Sequence, residues 1–135
     1  MKVVVNTNIL FTFFWKNSTT REIIRQRKLV LLSPMFAKEE LRKYSLEIQE
    51  KTRCSQKEFE EILAELATTV LFVPLQEYVH LLKRAATISP DKNDIDFVAL
   101  AIAHNCPLWT NDHKLKEQII EIEVCTTEEI IKLIF

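Results

Sequence analysis

Lys2-Val3-Val4-Val5-Asn6-Thr7-Asn8-Ile9-Leu10 opens the chain, and the way this stretch divides decides how the rest is read. Four residues rich in β-branched side chains form a short apolar run, as expected of a strand covered on both faces. Three polar residues end it abruptly, and the apolar segment Ile9–Trp15 that follows has helical character. This strand–turn–helix unit repeats along the chain. Strands are expected at Leu29–Leu32, Val70–Val73, Pro107–Thr110 and Ile122–Cys125. A helix is expected over Ser18–Lys28, with Ser18 or Thr19 as N-cap and Glu22 in the first turn. Another opens at Ser33-Pro34, with proline in the first helical position, and runs to about Gln49. Ser55–Thr68 places Phe59, Ile62, Leu63 and Leu66 on one face. Further helices are read at Gln76–Thr87, from Ser89-Pro90-Asp91 to His104, at Asp112–Ile119, and at Thr127–Ile134 behind a Thr126 or Thr127 cap. The alternation predicts a single three-layer α/β domain over residues 1–135, a parallel sheet of four to five strands with helices on both faces.

Composition narrows the function classes. The chain has 135 residues, 47% hydrophobic and 27% charged, which suits one domain with a real core. No apolar run approaches the ~18 residues of a membrane span, and the apolar start is too short for a signal peptide, so a cytoplasmic protein is expected. Three widely spaced cysteines, Cys54, Cys106 and Cys125, read as free thiols. Glycine is absent, which removes the dinucleotide fingerprint, the P-loop and the G-x-S-x-G elbow, all of which need it. Helix ends must also do without it, and Asn105 is expected to take the left-handed C-cap position. Net charge is −1, yet residues 1–53 carry 11 Lys/Arg against 5 Glu, and the remainder 7 against 14 acids. One basic side and one acidic side are compatible with local nucleic-acid binding and equally with ordinary solvated faces.

Ligands of a parallel sheet bind beyond the carboxyl ends of its strands. Asn6-Thr7-Asn8 follows the first strand, Glu39 and Glu40 lie on the helix after the second, and Asn111-Asp112 follow the fourth. Asp91, Asp94 and Asp96 open the helix before it. An oxygen-rich gathering of this kind suits Mg²⁺ or Mn²⁺. Carboxylates at ~4 Å and an effective dielectric of ~20 repel by roughly 4 kcal/mol, a cost that a divalent cation reverses. Two cations about 3.5–4 Å apart would serve phosphodiester hydrolysis.

The segments V-V-V-N-T-N-I-L (Val3–Leu10), K-E-E-L (Lys38–Leu41), N-D-I-D-F-V-A-L-A (Asn93–Ala101) and P-L-W-T-N-D (Pro107–Asp112) resemble, in order and spacing, the four signature segments of PIN-domain ribonucleases, a family that includes the VapC-type toxins of toxin–antitoxin pairs. The resemblance implies a metal-dependent endoribonuclease that leaves 5′-phosphate and 3′-hydroxyl ends. It assigns Glu40, Asp94 and Asp112 to the catalytic metal site, with Mg²⁺ or Mn²⁺ as cofactor and Asn8 as a polar partner. Asn6 departs from the pattern, since the family has aspartate there, and implies a weakened or inactive enzyme. RNA, an antitoxin protein and a second copy of the chain are the implied partners.

Each residue also has a plainer role. Asp91, Asp94 and Asp112 can serve as helix caps or first-turn acids. Asn6 and Asn8 can be turn residues. One of the adjacent Glu39 and Glu40 is a surface charge, and Trp15, Trp109 and His113 read as packing or surface residues. Lys16, Arg21, Arg25, Arg27 and Lys28 form the basic stretch best placed for phosphates. Arg21, Arg25 and Lys28 share a helical face by spacing and are the expected RNA contacts. Two rival functions remain open: a catalytically silent PIN-like module that binds RNA or protein, and, more weakly, a receiver-like phosphotransfer domain, for which no acceptor Asp and opposed Lys can be placed.

Overall fold

In the computed structural model, which describes residues 1–135, the strands are β1 (Lys2–Val5), β2 (Val30–Pro34), β3 (Val70–Val73), β4 (Leu108–Trp109) and β5 (Val124–Cys125). All neighbours pair parallel, in the order β3-β2-β1-β4-β5. The chain moves outward from β1 to β2 and β3, then returns to the other side of β1 for β4 and β5. The connections reverse direction between β1 and β4, and the loops leaving these two strands diverge there to open a crevice. Val3, Val4 and Val5 are wholly buried, as a central strand covered on both faces requires.

Nine α-helices cover the sheet: α1 (Thr7–Thr12), α2 (Thr19–Arg25), α3 (Met35–Lys43), α4 (Ser45–Thr52), α5 (Gln56–Thr69), α6 (Leu82–Ile88), α7 (Ile95–His104), α8 (His113–Gln118) and α9 (Thr127–Ile134). Thirty-four buried apolar residues form one continuous core. Burying each Leu, Ile or Phe among them contributes roughly 1.5–3 kcal/mol against the chain's conformational entropy. No helix is long and apolar enough to cross a membrane.

Several helix boundaries depart from the sequence expectation. Ser33 and Pro34 belong to β2, and Pro34 sits in extended backbone as the residue before α3 rather than its first turn. The helix expected to reach Gln49 breaks at Tyr44, which ends α3 and begins α4 (φ −99°, ψ 20°). The apolar period continues through the break in Ala37, Leu41 and Ile48, so periodicity gives no sign of it. The stretch Gln76–Thr87 contains two short 3-10 turns before α6, because Tyr78 turns inward to donate its hydroxyl to Asp96 Oδ2 at 2.7 Å. Asp91–Asp94 likewise forms a 3-10 turn ahead of α7. Helix α2 stops at Arg25, short of Lys28, with Arg27 in the left-handed region at φ 55°. Asn105 takes the left-handed C-cap position (φ 47°, ψ 53°) and donates its N–H to Ala101 and Ile102. Arg53 is the third residue with positive φ, at 57°, closing α4.

A candidate metal centre at the carboxyl end of the sheet

The crevice between the ends of β1 and β4 is a cleft of about 350 Å³, and Asn6, Glu40, Asp94 and Asp112 all line it. Four distant parts of the sequence thus meet where the sheet topology reverses.

Asn6 ends β1 and caps α1. Its Oδ1 accepts the Ile9 N–H at 3.0 Å, and its Nδ2 donates to Thr110 Oγ1 at 2.6 Å. A backbone N–H can only donate, so the amide orientation is fixed: oxygen toward α1, nitrogen toward Thr110. Thr110 Oγ1 also accepts the N–H of Asp112 at 3.1 Å, which ties the turn after β4 to the turn after β1. At 6% exposure, Asn6 is the only one of the four site residues that is buried.

Glu40 reaches the cleft from α3, and Thr7 Oγ1 donates to its Oε1 at 3.2 Å. Glu39 faces away, toward recesses beside Met35 and Phe72. Helix phase explains the choice. Ala37 and Leu41 fix the inward side of α3, and Glu39 lies about 200° round from Ala37. Asp112 is both a cleft residue and the N-cap of α8, accepting the Leu115 N–H at 3.2 Å. Asp91 also lines the cleft while capping Asn93. Asp96 leaves the cleft for Tyr78.

Asp94 differs from these acids. It stands at the cap position of α7 yet makes no capping hydrogen bond. Burial, then the nearby charges of Asp91 and Asp112, push its carboxyl up to about 6. A half-buried carboxylate with no internal partner, crowded by two others, is what a bound cation would relieve. The donor chemistry, a set of carboxylates, fits a hard dication. As the side chains stand, however, no three His, Cys, Asp or Glu groups lie close enough together to hold one ion. The set therefore fits a weak site rich in water, of the sort Mg²⁺ accepts with one or two carboxylates.

The basic residues are arranged differently from their spacing. Arg21, Arg25 and Lys28 do not form one helical face, because α2 ends at Arg25. Arg25 makes a forked pair with Glu65 of α5 at 2.9 and 2.8 Å. Lys28 donates to the Ile134 carbonyl at 2.8 Å, and Arg21 Nε donates to the Phe13 carbonyl at 2.9 Å, its guanidinium over the Phe13 ring. Trp109 is fully buried and donates to Thr127 Oγ1, whereas Trp15 and His113 are exposed.

The family model of the PIN domain matches residues 4–131. Two solved structures share the architecture. One is VapBC2 from Rickettsia felis bound to a DNA fragment from their promoter, with 17% identity and a TM-score of 0.70, covering 93% of this chain and 98% of that one. The other is VapBC-1 from nontypeable Haemophilus influenzae, with 22% identity and a TM-score of 0.65, covering 95% and 99%. At these identities the likeness speaks for the fold. No curated protein matches the sequence.

Proposed function

The chain belongs to the PIN domain family, and from that premise we propose that it is a divalent-cation-dependent endoribonuclease of the toxin type, attenuated by the amide at position 6. The observation that carries this reading is the meeting of Asn6, Glu40, Asp94 and Asp112 in one cleft at the reversal point of the sheet. Asp94 and Asp112, with Glu40 across the cleft, would hold Mg²⁺ or Mn²⁺. Bound there, the cation supplies positive charge to a phosphodiester oxygen and lowers the pKa of the attacking water.

The chain's own groups orient the site. Thr7 holds Glu40, Thr110 holds the turn that presents Asp112, and Asp94 keeps a carboxylate free of internal partners. Asn6 keeps the scaffold but brings no charge. Its oxygen is already engaged by α1, and its NH₂ group is occupied by Thr110. A neutral amide is a poorer ligand for a hard dication than a carboxylate. Arg21, Arg25 and Lys28, held by Phe13, Glu65 and Ile134, are given a structural role in fixing α2 and the turn after it.

Solved relatives of the fold are VapBC complexes, which supports an antitoxin as protein partner. We place the protein in the cytoplasm, where its free thiols remain reduced. A second reading, a catalytically silent module that binds RNA or protein, is favoured by one specific observation: no three His, Cys, Asp or Glu side chains lie close enough together to hold one ion. Cleavage of a single-stranded RNA with Mn²⁺, by this chain and by Asn6→Asp, separates the two. Weak cleavage by the chain and strong cleavage by the variant support the nuclease. Binding without cleavage by either supports the silent module.

A further inference from the structure

Beyond α1 from the acidic cleft lies a second recess of about 590 Å³. Thr12 walls it from the end of α1, Trp15 and Lys16 from the turns that follow, Arg53 from the corner between α4 and α5, and Asn111 from the turn after β4. Not one acidic residue lines it, whereas the neighbouring cleft carries four. The turn after β4 reaches both recesses, because Asn111 borders one and Asp112, the next residue, borders the other.

Two features of this recess bear on what it could hold. Trp15 leaves 49% of its surface in solvent, and no other ring or cation packs on it. Lys16 and Arg53 form no ion pair, while Arg25, Arg42, Lys51 and Lys116 each find a carboxylate. An open aromatic face and two cations outside any ion pair, in a recess with no acidic lining, match the parts of a nucleotide, a flat base and an anionic phosphate.

We propose that this recess is a nucleotide subsite for the single-stranded RNA substrate. A base stacks on Trp15, phosphates lie against Lys16 and Arg53, and the strand crosses the Asn111-Asp112 turn into the acidic cleft. The inference rests on the nuclease reading for the identity of the ligand, and it gives that reading a direction of strand entry.

Tryptophan emission tests it directly. The chain has two tryptophans, and Trp109 is fully buried, so quenching by an added oligonucleotide reports Trp15. Titrating a five-nucleotide oligouridylate into the intact chain in chelator should quench emission saturably. Trp15→Ala should abolish the quench and weaken binding, read by anisotropy of a labelled oligouridylate, by at least about fivefold, the lower end for a base–aromatic stack. Lys16→Gln with Arg53→Gln should keep the quench at saturation. Its slope of log affinity against log salt should be shallower by roughly 1.4, from two lost contacts on a single strand. All these side chains are exposed, and melting temperatures should stay within about 2 °C of the parent.

Oligouridylate binding that leaves emission unchanged, or parental affinity and salt slope in both variants, would overturn the subsite. Quenching by hexaglutamate but not by oligouridylate would overturn it too, assigning the recess to an acidic protein segment. The cleavage assay keeps the two failures apart. If Asn6→Asp cleaves RNA and adding Trp15→Ala leaves kcat/KM unchanged, the subsite fails and the nuclease stands. If Asn6→Asp cleaves nothing while the recess still binds oligouridylate, the nuclease fails and the subsite stands.

Discussion

Replacing Asn6 with aspartate changes one atom and one charge. The hydrogen bonds survive. A carboxylate still accepts the Ile9 N–H, now 3.0 Å from Oδ1. Thr110, which receives the amide proton across 2.6 Å, rotates its hydroxyl to donate instead, and its oxygen still accepts the Asp112 N–H. The remaining effect is electrostatic. A fifth carboxylate, 94% buried, joins Glu40, Asp91, Asp94 and Asp112 in one cleft. Repulsion within such a set costs about 1.5–2.5 kcal/mol, and the start of α1 returns about 0.5 kcal/mol to an anion. The net loss in chelator is about 1–2 kcal/mol, or a fall in Tm of about 3–8 °C for a domain of this size.

Mg²⁺ should reverse the order. A cation at a hundredfold excess over its Kd stabilises the fold by about 2.7 kcal/mol, against about 0.4 kcal/mol at a concentration equal to Kd. If the variant is near the first condition when the parent is near the second, it loses in chelator and wins in Mg²⁺. Paired thermal melts with and without Mg²⁺ measure this, and cleavage of single-stranded RNA should rise by orders of magnitude alongside. Equal Mg²⁺ shifts in parent and variant would refute the reasoning, as would strong metal-dependent cleavage by the unaltered chain.

Asp94→Asn should remove activity and, in chelator at pH 7.5, raise Tm. Its carboxyl titrates near 6 in the fold, above the ordinary 3.8, so the stability it contributes is full below 3.8 and is lost as pH rises through 6. Discounted for partial exposure, the variant gains about 1–2 kcal/mol at pH 7.5. A Tm difference that does not shrink between pH 6 and pH 4 would contradict this origin. Asn105→Ala puts a Cβ without hydrogen-bonding ability into left-handed backbone and should cost about 1 kcal/mol in urea unfolding, whereas Asn105→Gly should be neutral or stabilising. We also expect a homodimer through α4 and α5, where Leu46 stands 77% exposed. Light scattering should give twice 15.9 kDa, and Leu46→Glu should return the monomer mass.

β1 and β3 match the sequence expectation to the residue, because polar Asn6 and Pro74 cut short apolar runs that offer no helical period. The breaks at Tyr44 and Tyr78 are illegible for the opposite reason: an apolar period runs through them, and tertiary contacts decide where the chain turns. Asn105 is legible as a left-handed cap because asparagine tolerates that backbone, while Arg27 and Arg53 in the same conformation carry no such mark. Glu40 needed the family motif to be preferred over Glu39, though the phase set by Ala37 and Leu41 would have sufficed. The loss of a shared face for Arg21, Arg25 and Lys28 follows from an early helix end, compounded by a partner, Glu65, that lies 40 residues away.

Charge makes the same point for function. The first 53 residues are basic and the rest acidic, and the sequence invites a search for nucleic acid along the densest basic run. Folding pairs part of that charge across the halves: Arg25 meets Glu65 and Arg42 meets Glu60 across the α2–α5 and α3–α5 contacts. Such exposed pairs add at most about 1 kcal/mol to stability, yet each cancels a cation that could otherwise neutralise a phosphate. What matters for a polyanion is the residue of charge left after pairing, and where it lies. Lys16 and Arg53 are among the unpaired cations, far apart in sequence, and the fold sets them around one acid-free recess beside Trp15. A run of basic residues marks where charge is placed in the chain; only the ion pairs reveal where it remains free to bind.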